Sequence, residues 1–311
     1  IRVVEEQIPR HQNNQDTMGL ASLHTNLGII YFESGDYEKA KEHHYAGLEL
    51  AKELGNKRLQ AIGMGSLGSV FEREGDYEKA IEHFTKDLRI CQELGDRQGI
   101  AVVEGLVGDI NSVMGNFTKA IQHLDRSLSI SRELGYRKGV AKAVNTLGDI
   151  YYLQGQLDIS LMYYDQAIQI ARSTNNRLVL ASSLEEKGRV LLADNQLDAL
   201  REVEIEALRI AKELGNPDLI NGARLLHARA LAAYDPQNTE EALFAVEEIL
   251  KDEELTPEQL AEAYLTRFRI SAGIDDVARR TALEIYEELY TETPKFVFNY
   301  NLSILRGERV F

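Results

Sequence analysis

The sequence predicts an all-α fold in which similar pairs of helices stack along the chain, an α-solenoid. Two series of glycines recur at intervals of forty residues: Gly28, Gly68, Gly108, Gly148 and Gly188, and then Gly35, Gly75, Gly115 and Gly155. Within each forty-residue repeat the apolar residues are spaced by three and four, and no segment alternates with period two over a useful length. Self-similarity at one fixed period is typical of stacked repeats, each of which buries its apolar face against its neighbours.

Each repeat is predicted to form two amphipathic helices, as in residues 57–74 and 77–94. Gly75 is expected to end the first helix, and Asp76 to cap the second by accepting hydrogen bonds from its free N–H groups. Glu78 then lies in the first turn, where the helix dipole favours a negative charge. A Glu-Leu-Gly segment closes most of the repeats.

These motifs resemble the tetratricopeptide repeat. They are, in order, Leu-Gly-x-x-Tyr, Gly-Asp-Tyr-Glu-Lys-Ala and a helix containing Leu-x-Ile, and the match is strong over residues 16–135 and weaker over 136–215. The forty-residue form with Glu-Leu-Gly between repeats is similar to that of the LGN/Pins spindle-orientation adaptors and of many bacterial signalling proteins. The resemblance implies a right-handed superhelix of about seven helix-turn-helix repeats.

The domain organisation follows from where the pattern is clear. We expect the end of a preceding helix and a linker, five clear repeats, two degenerate repeats and a C-terminal capping segment, at residues 1–15, 16–215, 216–292 and 293–311. The forty-residue count is expected to fail after Gly215. Because the sequence begins at Ile1 within a helical pattern, we also expect a fragment of a longer protein.

Helix signals continue in the two degenerate repeats. Residues 217–233 and 239–250 are predicted to form one helix pair, and residues 277–290 the second helix of the next pair. Thr256 and Gln259 have the spacing of a capping box and open a helix to about residue 272, with Pro257 at its first position. Either Asp275 or Asp276 is expected to cap the helix that follows.

Composition and charge argue against some classes of function. The formal net charge is -15, from 50 acidic and 35 basic residues, which argues against a nucleic-acid surface as the main role. No apolar run approaches the roughly 20 residues of a membrane span, so no membrane role is expected. The single cysteine, Cys91, occupies a position held by Ala or Ser in other repeats and is predicted to be a packing residue. A cytoplasmic location is expected.

Other motifs lose significance once their repeat position is considered. Gly63 to Gly68 spell G-x-G-x-x-G, but the motif lies inside a helix without the strand that dinucleotide binding requires. His43, His83 and His123 share one repeat position and therefore stand on different helices, too far apart for one metal. No nucleophile, base and orienting acid can be grouped. We expect no cofactor, no metal and no enzymatic activity.

The resemblance implies that the first helix of each repeat lines a concave groove. The residues predicted to face it are Thr25, Asn26, Ile29 and Glu33; Gly65, Ser66, Ser69 and Arg73; Gly105 and Asp109; Lys142, Asn145, Asp149 and Tyr152; and Glu185 and Arg189. The glycines among them are compatible with close approach of a peptide backbone or with tight helix packing. No lysine occurs at positions 25, 65, 105, 145 and 185, where some family members hold a peptide C-terminus with lysines and asparagines.

The predicted function is a protein-interaction scaffold that binds a peptide segment or a partner domain in this groove. The alternative is the regulatory or sensor region of a larger, bacterial signalling protein whose cyclase, kinase or protease domain lies outside this sequence. Self-association through the aromatic C-terminal segment is a further possibility.

Overall fold

The structure, a computed structural model, describes residues 7–13, 15–237 and 239–308. Within these ranges the regular secondary structure is entirely α-helical, as the sequence predicts. The chain folds as two units, unit 1 (Ile1–Gly139) and unit 2 (Val140–Phe311). Residues 1–6 and 14 of the helix end and linker expected at residues 1–15 fall outside the described residues, as do residues 309–311 of the C-terminal segment.

Unit 1 contains three consecutive helix pairs after a short helix. The helices are α1 (Ile8–Asn13), α2 (Thr17–Glu33), α3 (Tyr37–Glu53), α4 (Lys57–Arg73), α5 (Tyr77–Leu94), α6 (Arg97–Val113) and α7 (Phe117–Glu133). The two helices of a pair contact each other most closely, and the first helices α2 and α4 also touch. Leu67, Phe84 and Val107 form part of one buried cluster that joins α4, α5 and α6.

Two glycines of the repeat have distinct structural roles in unit 1. Gly68 lies where α4 and α5 approach closely, and a Cβ there would lie 2.7 Å from Cε1 of Phe84. Gly75 adopts a φ of 78° at the end of α4, a left-handed conformation that glycine accepts without steric cost. The next residue, Asp76, caps α5 by accepting a hydrogen bond from the backbone N–H of Lys79, as predicted.

Unit 2 contains the remaining helices. They are α8 (Arg137–Leu153), which begins at the unit boundary, α9 (Leu157–Ser173), α10 (Arg177–Ala193), α11 (Leu197–Leu214), α12 (Pro217–Tyr234), α13 (Glu240–Leu250), α14 (Pro257–Ile270), α15 (Asp276–Glu292) and α16 (Phe296–Leu305). The predicted capping box of Thr256 and Gln259 is present, and Asp275 is the N-cap of α15.

The forty-residue spacing does not fail after Gly215 in the first helices, contrary to the expectation from the sequence. α10, α12 and α14 begin at Arg177, Pro217 and Pro257. The second helices depart from the count instead, because α12 runs to Tyr234 and α13 begins only at Glu240. Equivalent positions on the first helices of unit 2 therefore remain forty residues apart.

The last helix, α16, packs on the end of unit 2. Its side chains Phe298, Leu302 and Leu305 are buried in one apolar cluster with Leu265 of α14 and Tyr286 of α15. The last helix pair thus has its apolar face covered by the chain itself. No helix of the described residues is both long and apolar enough to span a membrane.

Candidate functional site

Three arginines follow one another along the first helices of unit 2. Arg189 lies on α10, Arg229 on α12 and Arg269 on α14, so they occupy the same position forty residues apart. The helices α10 and α12 contact each other, as do α12 and α14. All three arginines line one cavity of about 730 Å³. The continued repeat spacing therefore concentrates positive charge on one face of an acidic chain.

Hydrogen bonds and an ion pair hold Arg229 in place. The Arg229 guanidinium pairs with the Glu262 carboxylate and donates to Thr266 Oγ1 from Nε and from the terminal nitrogen, at 3.0 and 2.7 Å. The Tyr286 hydroxyl donates to the other oxygen of Glu262 at 2.8 Å. This network ties α12, α14 and α15 together.

Arg189 is bound less completely by the chain. Its terminal Nη1 donates to Glu186 at 3.2 Å on the same helix. Its Nε is buried and has no hydrogen-bond partner among the described residues. A buried donor without an acceptor costs about 1–3 kcal/mol, so this guanidinium is not saturated by acceptors of the protein.

The charges around the arginines are strongly coupled. Burial alone would raise the pKa of the Glu262 carboxyl, but Arg229, Arg189 and Arg269 lower it far below its usual range, so it is ionised. Burial, and then the charge of Glu186, raise the pKa of the Glu185 carboxyl to about 8, so this group is protonated at pH 7. The guanidinium groups therefore keep the Glu262 carboxylate ionised in spite of its burial.

The large cavity is otherwise mainly apolar. Leucine, isoleucine and alanine side chains from α8, α10, α12, α14 and α16 line it, together with the rings of Tyr152 and Tyr300, and no carboxylate is among its described lining residues. A second cavity, of about 330 Å³, shares Arg189 and Arg229 but is also lined by Glu185, Asp218, Glu258 and Glu262. The arginines thus separate an apolar, basic cavity from an acidic one.

The predicted groove residues of unit 2 differ in whether they line one of the two cavities. Tyr152 and Arg189 line the large cavity, and Glu185 lines the small one. Asn145 accepts a hydrogen bond from the Ser183 hydroxyl at 3.0 Å. Asp149 accepts one from the hydroxyl of buried Tyr164, and Lys142 is exposed.

The predicted groove residues of unit 1 divide into exposed and packed positions. Exposed are Asn26, Ile29, Glu33 and Arg73; half-buried are Thr25, Ser66, Ser69 and Asp109. A Cβ at Gly65 would lie 2.7 Å from Oδ2 of Asp87 on α5, and one at Gly105, which is buried, 3.1 Å from Oγ of Ser127 on α7. These contacts support the helix-packing alternative for both glycines, and Gly105 does not lie at an open groove surface.

Sequence reasoning found Arg189 but missed the residues that complete the site. Arg229 and Arg269 were not singled out, nor was Glu262, which pairs with Arg229. A signal for the arginines was present, because adding forty to position 189 twice gives both. The glycines that mark the count in earlier repeats, within the first helices and in the turns after the helices, have no counterparts at the repeat positions after Gly215, and this hid the continued spacing.

Two of the three histidines that share one repeat position have a hydrogen-bond partner within the protein. Nδ1 of His43 lies 2.9 Å from Nδ1 of His24, and Nδ1 of His123 lies 2.6 Å from Oε2 of Glu104, while His83 is buried. Within residues 7–13, 15–237 and 239–308 no three His, Cys, Asp or Glu side chains form a group suited to a metal ion.

Two other sequence signals have structural explanations. The G-x-G-x-x-G segment from Gly63 to Gly68 lies inside helix α4, as predicted. Cys91 is buried and donates to Asp87 Oδ1 at 3.3 Å, and burial raises the pKa of its thiol to about 12. Such a thiol is not poised for nucleophilic chemistry, in agreement with its interpretation as a packing residue.

Comparison with known proteins supplies the family. The model of the tetratricopeptide repeat matches residues 19–93 and 99–173. No curated protein sequence gives a significant match.

Several solved structures share the fold. The apo form of the quorum sensor NprR from B. thuringiensis has a TM-score of 0.72 at 15% identity, covering 90% of this chain and 81% of that one. A Rap conjugation gene regulator of the plasmid pLS20, in complex with the Phr peptide, has a TM-score of 0.66 at 14% identity, covering 90% and 77%. A signal transduction ATPase (STAND) protein with a tetratricopeptide repeat sensor, from Pyrococcus horikoshii, has a TM-score of 0.63 at 17% identity, covering 84% and 38%. At these identities the likeness establishes the fold.

Proposed function

The chain belongs to the tetratricopeptide-repeat family, and on that premise we propose that it is a protein-interaction module whose first helices bind a peptide segment of a partner. The observation that carries the proposal is the pair of adjoining cavities in unit 2, both lined by first helices and both containing Arg189 and Arg229. A cavity of several hundred Å³ with apolar walls and a few convergent polar groups is typical of ligand sites. The peptide held by the structurally similar Rap regulator supports a peptide as the ligand.

The contact residues that we propose are the predicted first-helix residues that reach the surface. In unit 2 they are Lys142, Asn145, Asp149, Tyr152, Glu185 and Arg189, to which the cavities add Arg229 and Arg269. In unit 1 they are Thr25, Asn26, Ile29, Glu33, Ser66, Ser69, Arg73 and Asp109. Gly65 and Gly105 are left out because they pack against second helices.

We expect binding without catalysis. The ionisable groups of the unit 2 face are engaged with one another, as in the contacts of Arg229 and Tyr286 with Glu262. These contacts link three helices and have the character of a structural network that shapes a binding surface.

The test is a binding selection from a displayed library of random peptides against the folded chain, followed by measurement of Kd by fluorescence anisotropy. We expect enriched peptides, and Tyr152→Ala should weaken their binding about tenfold because an aromatic ring in a cavity is a frequent binding hot spot. Tyr290→Ala is the matched control, since Tyr290 is exposed on the second helix α15. Absence of enrichment over a denatured sample, or equal weakening by both substitutions, would contradict the proposal.

A second candidate is that the chain is the sensor region of a larger signalling protein. The structurally similar STAND protein favours it, because that protein has a tetratricopeptide repeat sensor and this chain covers only 38% of its length. An antibody raised against the chain should then detect a native protein well above the 35.0 kDa of this sequence. Detection of a native protein at 35 kDa alone would rule this candidate out.

A further inference from the structure

The three most exposed large apolar side chains of the described residues belong to two second helices of unit 2 and the turn beside them. Phe244 on α13 is 61% exposed and Val277 on α15 is 67% exposed. Ile274, in the turn between α14 and α15, is 83% exposed. Apolar residues exposed singly are normal on a protein surface, but a group of them indicates an interaction site.

The contacts of Arg267 on α14 show that these residues are neighbours in space. Its Nη1 lies 3.7 Å from Oε1 of Glu247 on α13, and its Nε donates to Oδ2 of Asp275 at 2.7 Å. Asp275 directly follows Ile274, and Glu247 lies one turn after Phe244 on the same face of α13. Because α13 and α14 are joined by a short connection and run antiparallel, Phe244 lies opposite the last turn of α14, where the turn with Ile274 begins.

The charge beside this apolar group is negative. Helix α13 contains no basic residue, and its acidic residues are Glu240, Glu241, Glu247 and Glu248. Glu247 pairs with Arg267 and Glu248 with Lys251, whereas Glu240 and Glu241 form no ion pair within the part of the chain that the structure describes. These two lie four and three residues before Phe244 and therefore on its face of the helix. The helix dipole favours acidic residues in a first turn, but it does not account for an exposed phenylalanine next to them.

The acidic residues on α15 are compensated more completely. Asp275 accepts from Arg267, and Asp276 pairs with Arg279 and Arg280. The negative charge without a partner is therefore concentrated at the start of α13, on one side of the apolar group.

These features select the kind of partner. The residues of α13 and α15 hydrogen-bond within their own helices, so the surface offers side chains rather than free backbone groups. A partner must then satisfy its own backbone, as an amphipathic helix does when its apolar face is turned to the surface. The glutamates favour a helix that also carries lysine or arginine. They disfavour a second copy of this acidic chain and anionic lipid headgroups, because both bring further negative charge.

We propose that the α13–α15 surface, formed by Phe244, Ile274 and Val277, docks a basic amphipathic helix of a partner protein. The apolar face of that helix covers the three side chains, and its lysines or arginines lie beside Glu240 and Glu241. This site goes beyond the proposed function, because none of its residues lines either of the cavities formed by the first helices. A partner docked here leaves those cavities free for a peptide.

The probe for this surface is a pair of synthetic helical peptides. Both carry leucines at i, i+3, i+4 and i+7, and they differ only in having lysines or glutamates at the flanking positions. Fluorescence anisotropy with the whole 311-residue chain measures Kd for each. The lysine peptide should bind at least about tenfold more tightly than the glutamate peptide, and added salt should reduce the difference.

Substitutions in the protein locate the binding. Phe244→Ser and Ile274→Ser should each weaken binding of the lysine peptide about tenfold, because each removes apolar surface that the helix covers. Both side chains are exposed, so the thermal unfolding of these variants should match that of the native chain and show that they are folded. Leu178→Ser is the matched control, since Leu178 is 53% exposed on the first helix α10, and it should not change Kd.

A charge variant tests the second half of the proposal. Replacing both Glu240 and Glu241 with glutamine should weaken binding of the lysine peptide about tenfold and bring its Kd closer to that of the glutamate peptide. An unchanged Kd in this variant would overturn the assignment of the basic residues to the start of α13.

Other outcomes overturn the proposal as a whole. They are failure of both peptides to bind, equal binding of the two, and equal weakening by Phe244→Ser and Leu178→Ser. Flotation of the chain with phosphatidylserine vesicles that Phe244→Ser abolishes would assign the surface to a membrane instead. A dimer that the same substitution dissociates would assign it to a second copy of the chain. None of these results affects the peptide selection against the first helices, so failure here is distinguishable from failure of the proposed function.

Discussion

Single residues on the unit 2 face have properties that the repeat pattern does not require. Glu185 is held in its neutral form because burial, and then the charge of Glu186, raise its pKa to about 8. In the unfolded chain the same carboxyl titrates near its ordinary pKa of about 4.5. Between about pH 4.5 and about pH 8 the folded state therefore keeps a proton on Glu185 that the unfolded state has released.

This difference predicts a pH-dependent effect of Glu185→Gln. The stabilisation from the protonated Glu185 is fully present below about pH 4.5 and is lost as pH rises through about 8. Between pH 5.5 and pH 8.5 the native chain should therefore lose about 3 kcal/mol in unfolding free energy relative to the variant. Urea unfolding at several pH values in this range measures the difference.

The matched control is Glu213→Gln. Hydrogen bonds from Arg177 and Arg209 lower the pKa of the Glu213 carboxyl, so it is ionised throughout this pH range. Its substitution should shift the unfolding free energy by a constant amount from pH 5.5 to 8.5. A constant difference for Glu185→Gln as well would contradict the assignment of a protonated carboxyl.

Most helices end in a residue with a left-handed backbone conformation, but the type of that residue varies. Glycine takes the left-handed conformation at the end of most helices, as Gly75 does at a φ of 78°. Asn175, Asn195 and Ala272 adopt the same conformation, with φ of 50°, 56° and 52°. For a residue with a Cβ this conformation costs roughly 1–2 kcal/mol, least for asparagine. The end of α14 at Ala272 is therefore strained.

Ala272→Gly should stabilise unit 2 by about 1 kcal/mol, because glycine relieves the left-handed strain and this exceeds its greater unfolded-state entropy. Thermal and urea unfolding measure the effect. The matched control is Ala245→Gly in the middle of α13, where the same change should destabilise by about 1 kcal/mol through lost helix propensity. Destabilisation by both substitutions would show that Ala272 is not strained.

At the scale of the whole molecule, stability depends on how each repeat covers the next. A helix pair in a repeat array cannot bury its apolar face alone, so the last pair needs a cap. In unit 2, α16 buries Phe298, Leu302 and Leu305 against α14 and α15. We therefore expect α16 to stabilise the fold of unit 2.

Deletion of residues 293–311 should make the chain self-associate and lower its melting temperature, because it exposes the apolar face of α14 and α15. Loss of the buried Leu302 side chain alone should lower the free energy of unfolding by about 2–3 kcal/mol. Light scattering with size-exclusion chromatography and thermal unfolding measure both effects. Leu302→Asp should reproduce them, and Asn299→Asp, at an exposed position of the same helix, should not. If the full chain is an oligomer and the deletion is monomeric, the segment mediates association instead.

The sequence by itself determined the fold class, the helix pairs and most of their ends. Period and apolar spacing are local properties of the chain, and capping acts within four residues, so α4, α5, the capping box at Thr256 and the cap at Asp275 were all predictable. The same period also contained Arg229 and Arg269, although the loss of the glycine landmarks after Gly215 concealed them.

Only the tertiary structure decided which first-helix residues reach a cavity. Gly65 and Asn145 share one repeat position, yet Gly65 packs against Asp87 and Asn145 accepts a hydrogen bond from Ser183. Likewise, sequence alone does not show that Arg229 pairs with Glu262 or that the arginines separate two cavities. Such contacts join residues that lie 22 to 38 positions apart in the sequence. They depend on how neighbouring helices pack, and the periodicity of a single helix does not specify that packing.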